Sequence, residues 1–291
     1  MSDKTNTKVY ILGASGFLGS ECAGYLRTRG YQIFDKRIDV TNLNVLRLTF
    51  NQYHPDVVIN FAGVRAYPTI DWCEDHKEET VAVNVIGATN TMLAALEAGA
   101  YPIQISSGCV YSGGLEHFFA EEDKPNFYGS FYSRMRIVLQ EALAELPVLY
   151  ARIRMPMSCY SHPRNFIDKI VSYREVISVY NSVTLIEDLW PALERLFSIR
   201  PVGILNLTNV SYVNHKQILD VYKKFVDPKH SYIPISLDRL EGPGGITKAK
   251  RSNCVLSTEK AKKLGVSMPQ LDDKRLGIVM GIYGRRLRKQ T

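Results

Sequence analysis

Two rhythms alternate through the first half of the chain. Short apolar runs of strand type occupy residues 9–12, 32–34, 56–60, 102–106 and 148–153. Between them lie stretches with helical spacing of apolar positions, at 17–29, 42–53, 76–98 and 131–145. Pro55 introduces the third run, Gly99 closes the long helix and Pro147 ends the last one. Strands separated by helices predict a parallel sheet covered on both faces, an α/β doubly wound architecture. After residue 154 the rhythm loosens. Helices are expected at 164–173, 187–198, 215–225, 258–264 and 272–287, a strand at 203–207, and a flexible loop at Gly242-Pro243-Gly244-Gly245. The pattern divides the chain into a dinucleotide-binding domain, 1–154, and a smaller lobe, 155–291, closely joined and free to interleave. That lobe belongs on the C-terminal edge of the sheet, where doubly wound sheets bind ligands.

Composition narrows the function classes. The chain has 291 residues, 45% hydrophobic and 22% charged, ordinary values for a globular protein. Its net charge of +7 is not organised as a basic stripe interleaved with aromatics, which argues against nucleic acid. The main cluster, Arg285, Arg286, Arg288 and Lys289, fits a solvated helix end with cations near its negative pole. A moderately basic surface also suits an anionic substrate such as a nucleotide diphosphate. Five scattered cysteines without a CxxC pair argue against a disulfide framework or a metal site and for a reducing compartment. The polar N-terminus is unlike a secretory signal and no apolar run is long enough to span a bilayer, so the expected location is cytoplasmic with no membrane partner.

Gly13, Gly16 and Gly19 follow the first strand and open the first helix. Strand, glycine turn and helix N-terminus make a phosphate cradle, since the free N–H groups attract a pyrophosphate and the glycines let it approach. A tight turn with no ligand is the bland alternative. The expected dinucleotide contacts are Gly13, Ser15, Gly16, Phe17, Leu18 and Gly19, with Phe61, Ala62 and Gly63 after the third strand. The second strand ends Phe34-Asp35-Lys36-Arg37-Ile38-Asp39-Val40. An acid there suits the ribose 2′-hydroxyl of NAD, a cation the 2′-phosphate of NADP. Asp35 favours the first, Lys36 and Arg37 the second, and Asp39 and Val40 complete the expected contacts.

The fourth strand ends Ile105-Ser106-Ser107-Gly108-Cys109, which puts Ser107 and Cys109 at a ligand-facing strand end. Tyr132 and Arg136 are four apart at the start of a helix and share one face. A tyrosine beside a fixed cation is a candidate proton donor, and a serine hydroxyl can hydrogen-bond a substrate carbonyl alongside it. The alternatives are a surface pair for Tyr132 and Arg136 and a small buried hydrophobe for Cys109.

The glycine triplet, Asn60-Phe61-Ala62-Gly63, the Ser107 strand end and the Tyr132 helix resemble the extended short-chain dehydrogenase/reductases. Within that family the chain is most similar to nucleotide-rhamnose synthases of the epimerase/reductase type, relatives of dTDP-4-dehydrorhamnose reductase. The likeness continues through Asp71-Trp72-Cys73-Glu74, Pro125-Asn126-Phe127, Gly129 to Ser133, Arg152 to Pro156, Pro163 to Ile167 with Lys169, Asn181-Ser182 and Arg251-Ser252-Asn253. It implies a Rossmann sheet with a C-terminal substrate-binding lobe, and a two-step reaction on a nucleotide-linked 4-keto-6-deoxyhexose. Epimerisation comes first, because the C4 ketone acidifies the protons at C3 and C5 and reduction destroys it. The resemblance assigns Ser107, Tyr132 and Arg136 to reduction, Cys109 and Lys169 to epimerisation, and Arg65, Asn126, Asn165, Phe166 and Arg251 to substrate binding. It favours NADP(H), with NAD(H) as the alternative, and implies a homodimer formed through the two long helices. One departure stands out: the family's lysine four residues after the tyrosine is Arg136 here. Arginine keeps the charge but is larger, planar and differently directed, so ribose contacts must change. Two other readings remain open: a sugar-nucleotide 4-epimerase or dehydratase with tightly held NAD, and a binding or regulatory protein that has lost turnover. Gly108, where a dehydratase needs an acid, counts against the dehydratase.

Overall fold

The computed structural model describes residues 6–64 and 69–289. Six strands form one sheet: β1 (Lys8–Leu12), β2 (Gln32–Phe34), β3 (Val57–Asn60), β4 (Tyr101–Ser107), β6 (Leu149–Ile153) and β10 (Gly203–Asn206). A short strand, β5 (Phe118–Phe119), falls between β4 and β6. The sheet order is β10-β6-β4-β3-β1-β2, with every pairing parallel. Val57, Val58 and Ile59 are all buried, as expected for a central strand covered on both faces. Alternation along β1 assigns the faces. Val9 and Ile11 pack with helices α1 (Phe17–Thr28) and α8 (Ile186–Ile199), whereas Tyr10 and Leu12 pack with α2 (Leu43–Tyr53) and α5 (Ala88–Glu97). The sixth strand and α8 come from beyond residue 154, so the chain crosses back into the sheet after starting the lobe.

The long helix expected at 76–98 is more segmented. A turn, α3 (Trp72–Asp75), precedes α4 (Lys77–Val81), and a π-helical stretch at Ala82–Gly87 joins α4 to α5. The π stretch lets two inward residues serve different neighbours. Asn84 donates to the Val64 carbonyl at 3.0 Å, and a Cβ at Gly87 would come within 2.6 Å of the Val40 methyl. Helix α6 (Phe131–Ala142) starts where Ser130 accepts a hydrogen bond from the Ser133 N–H at 3.1 Å and ends three residues earlier than expected.

The lobe uses short elements. Helices α7 (Phe166–Val171), α9 (His215–Phe225) and α12 (Asp273–Leu287) share an apolar core through Ile167, Ile170, Ile218, Leu219, Leu276 and Met280. Four two-stranded parallel pairs tie it down. These are β7 (Pro156–Met157) with β9 (Thr184–Leu185), β8 (Glu175–Ile177) with β12 (Ile233–Ile235), β11 (Asn209–Val210) with β14 (Met268–Gln270), and β5 with β13 (Val255–Leu256). Among the described residues no helix is long and apolar enough to cross a membrane, and no cluster of three His, Cys, Asp or Glu is arranged to hold a metal ion.

Candidate active site

The glycine turn is built by close approach. Gly13 has φ of 71°, and a Cβ there would lie 2.6 Å from the Ala62 nitrogen. A Cβ at Gly19 would collide with the Gly13 carbonyl oxygen. Asn60 holds the opposing turn: its Oδ1 accepts from the Ala62 N–H at 2.9 Å, and its Nδ2 donates to Gln104 at 2.8 Å. Gly16 caps α1 without any side-chain hydrogen bond, and Ser15 is exposed beside it. Phe17 is buried and stacks on His162 at 4.5 Å between ring centroids. Leu18, in the first turn of α1, lines a cavity of about 780 Å³ together with Phe61, Ala62 and Gly63.

That cavity also receives Ser107, Cys109, Tyr132, Arg136 and Lys169. The β4 end positions the first two: the Cys109 N–H donates to the Ser107 hydroxyl at 3.1 Å. Arg136 is buried, and its guanidinium lies 4.9 Å from the Tyr132 ring centroid. A relay fixes its backbone. Ser106 donates to the Tyr150 hydroxyl at 2.6 Å, and Tyr150 donates to the Arg136 carbonyl at 2.9 Å. Burial alone would lower the Arg136 pKa, but the facing phenols of Tyr132 and Tyr150 and the Cys109 thiol outweigh it and hold the value above the ordinary one. Two buried atoms lack a hydrogen-bond partner, the donor Arg136 Nε and the acceptor Asn84 Oδ1; a Cβ at Gly63 would lie 3.1 Å from that Oδ1 and 3.4 Å from Arg136 Nη2. The far wall comes from the lobe, with Phe166 and Arg251 among its residues. Arg251 clamps Asp71 through two bonds of 3.0 and 2.9 Å. Burial would raise the Asp71 carboxyl, yet Arg251 and the Ala249 N–H hold it below the usual range.

A family model described as the RmlD substrate binding domain matches residues 7–188. The chain belongs to that family. It is 33% identical over 297 residues to the bifunctional dTDP-4-dehydrorhamnose 3,5-epimerase/dTDP-4-dehydrorhamnose reductase of Arabidopsis thaliana, covering 97% of this chain and 94% of that one. It is also 33% identical to a trifunctional UDP-glucose 4,6-dehydratase/UDP-4-keto-6-deoxy-D-glucose 3,5-epimerase/UDP-4-keto-L-rhamnose-reductase from the same plant. That match covers 95% of this chain and 42% of the plant protein, so the chain spans about two-fifths of its length. Among solved structures, the L780 UDP-rhamnose synthase of Acanthamoeba polyphaga mimivirus superposes with a TM-score of 0.88 at 28% identity, over 94% of this chain and 99% of that one.

Other residues expected to serve the site of this RmlD-family chain fall elsewhere. Asn126 is exposed and outside the lining; its amide accepts from the Ser112 N–H at 2.8 Å and donates to the Ser112 carbonyl at 3.0 Å. Asn165 is fully buried and caps α7, accepting from the Ser158 and Ile167 N–H groups and donating to the Ser158 and Tyr160 carbonyls. Both amides are engaged with their own loops and neither is among the residues that line the cavity. Val40 packs into the core against Gly87, and Asp39 accepts from the Thr41 N–H and hydroxyl at 2.9 and 2.7 Å. Lys36 and Arg37 are exposed, and Arg65 lies outside the described residues.

Sequence reasoning passed over Arg154 and His215, which also line the cavity. The available signal was two arginines, Arg152 and Arg154, at alternate positions of an otherwise apolar strand end. Arg152 is accounted for: it donates to the Tyr111 hydroxyl at 2.9 Å and to Gln140.

Proposed function

We propose that this chain is an NADPH-dependent reductase with 3,5-epimerase activity. Its substrate would be a UDP- or dTDP-linked 4-keto-6-deoxyhexose, and its product a nucleotide-linked 6-deoxy-L-hexose such as L-rhamnose. The observation that carries this reading is one cavity lined both by Ser107, Tyr132 and Arg136 and by Cys109 and Lys169. The Arabidopsis relative of similar length is named for both steps.

In this reading Cys109 and Lys169 exchange protons at C3 and C5, the electron pair of each broken C–H bond passing into the C4 carbonyl as an enolate. The Ser107 hydroxyl donates to that carbonyl oxygen. Tyr132 then gives its phenolic proton to O4 as C4 is reduced, and Arg136 stabilises the charge left on the phenol. NADPH supplies the hydride equivalent when bound. The residues present fit it: the glycine turn leaves backbone exposed to a pyrophosphate, and Arg136 Nε and Asn84 Oδ1 are an unpartnered donor and acceptor suited to ribose hydroxyls.

Two features support NADPH over NADH. Asp35 is engaged by Arg27 at 2.6 Å, which weakens its claim on a 2′-hydroxyl, and Lys36 and Arg37 stand exposed beside it. The proposed homodimer would pair the helices 77–97 and 131–142, where Ile86 and Val138 are exposed. Five free cysteines suit a cytoplasmic location. The test is NADPH oxidation with a nucleotide 4-keto-6-deoxyglucose; binding of both without oxidation defeats the reductase reading. A binding protein without turnover is the second reading, supported by the Arg136 guanidinium lying over the tyrosine ring. Under that reading Arg136→Lys gains turnover that the natural chain lacks.

A further inference from the structure

Arg154 follows the last residue of β6 and is 1% exposed, yet it reaches the cavity. Its Nη1 donates to the Cys109 sulfur at 3.2 Å. Its remaining donors are held by the Asn181 amide oxygen, the Ser252 carbonyl at 2.6 Å and the Ser252 hydroxyl at 3.3 Å. Among the described residues no carboxylate pairs with it. A buried guanidinium without a counter-charge is costly, and a neutral amide, carbonyl and hydroxyl do not cancel its charge.

Cys109, Cys254 and His215 face Arg154; Arg136, itself facing Tyr132 and Tyr150, stands against Cys109, and Arg152 stands against Cys254. Arg136 is a second cation. His215 is pushed down to about 4 by burial and by Arg154 itself, so it is neutral at physiological pH. Of the groups facing Arg154, only the two thiols can carry a negative charge. Cys254 is fully buried and its S–H donates to the Gly108 carbonyl at 3.5 Å, which holds its proton in place. Cys109 is partly exposed to the cavity. Its sulfur accepts a hydrogen bond from Arg154 Nη1, which sets a cation directly against it.

We propose that Arg154 is a positioning residue that keeps the Cys109 sulfur ionised and aimed into the cavity, with the Cys109 thiolate as its counter-charge. The proposal rests on the epimerase reading of this cavity. In the step it serves, the thiolate forms an S–H bond with the proton of C3 or C5, and the C–H electron pair enters the C4 carbonyl. Arg154 keeps its own proton throughout. Burial alone would lower its pKa, but the two thiols hold it above the ordinary arginine value.

The test uses the free protein first. Alkylation of Cys109 by iodoacetamide near neutral pH is followed by peptide mass spectrometry in the natural chain, Arg154→Met and Arg154→Lys. The expected result is a fall of about tenfold or more in Arg154→Met, the loss of a cation's effect on thiolate fraction, with partial recovery in Arg154→Lys. The pH profile of solvent-deuterium exchange at C3 and C5 moves to more alkaline pH in Arg154→Met. Wild-type alkylation rates in a folded Arg154→Met overturn the proposal. Should that variant fail to fold, the thiolate ultraviolet absorbance of the natural chain minus that of Cys109→Ala still decides: a difference at neutral pH supports the pair and its absence overturns it. The alkylation and absorbance measurements do not use the keto sugar. A natural chain with the thiolate signal but no exchange at C3 and C5 would sink the epimerase reading and leave the ion pair standing.

Discussion

The sheet half of the molecule satisfies its buried backbone groups mainly through ladders, with Asn60 and Gln104 at the strand ends, whereas the lobe beyond Arg154 satisfies many of them through side-chain amides. In the sheet, Val57 to Ile59 need only apolar cover, because both neighbours supply hydrogen bonds. In the lobe, strand pairs are only two or three residues long, and buried Asn165, Asn181 and Asn209 close the loops between them. Ladders make a rigid edge on which Ser107 can be fixed. Amide staples let irregular backbone curve around a substrate-sized space, at the cost of depending on single side chains.

This contrast can be attacked from both sides. On the sheet side, Tyr132→Phe removes a hydroxyl that touches no structural partner in the sheet ladders. NADPH oxidation is expected to fall about 10²- to 10⁴-fold with little change in melting temperature. A large stability loss instead would make Tyr132 a structural residue. On the lobe side, Asn165→Ala strips partners from two N–H groups and two carbonyls in buried loops. Denaturant titration should show a loss of about 3 kcal/mol. Trimming one methylene from the sheet core with Ile59→Val should cost only about 1 kcal/mol in the same assay. Equal losses would erase the distinction.

A smaller effect separates the halves by pH. His215 in the lobe has a folded pKa of about 4, below the ordinary histidine value of 6.5, so the unfolded chain binds its proton more readily. The stability held by neutral His215 is complete above the unfolded value and is lost as pH falls through about 4. Near pH 5 the loss amounts to about 2 kcal/mol, and His215→Gln should remove that part of the acid sensitivity. An unchanged acid limb in the variant would mean that His215 does not govern it. The smallest effect concerns the cofactor. Lys36→Ala with Arg37→Ala should raise the KM for NADPH about tenfold and leave that for NADH nearly unchanged. Parallel changes for both cofactors would point to a general surface effect.

The same contrast explains what was legible beforehand. The strand runs and the glycine turn were readable because burial on both faces and close approach at Gly13 leave few residue choices. The π stretch at Ala82–Gly87 was not, since one extra residue per turn hardly alters the apolar spacing over six residues. That residues 203–206 join the sheet was hidden because an edge strand can pair with many partners. That Asn126 and Asn165 bind their own loops was not legible for a chemical reason: an amide that binds a ligand and one that binds its own backbone look alike in a sequence. Arg154 was overlooked because an arginine after a strand usually reads as a surface charge, and only the fold shows that it is buried against Cys109.

The central claim is that one cavity first epimerises and then reduces the same sugar. It is tested most directly by running the reaction in deuterated water with NADPH and a nucleotide-linked 4-keto-6-deoxyglucose, then locating deuterium in the product by mass spectrometry and NMR. The account predicts a 6-deoxy-L-hexose labelled at C3 and C5, formed mole for mole with NADPH oxidised. Oxidation giving an unlabelled sugar, or label without any oxidation, would contradict it.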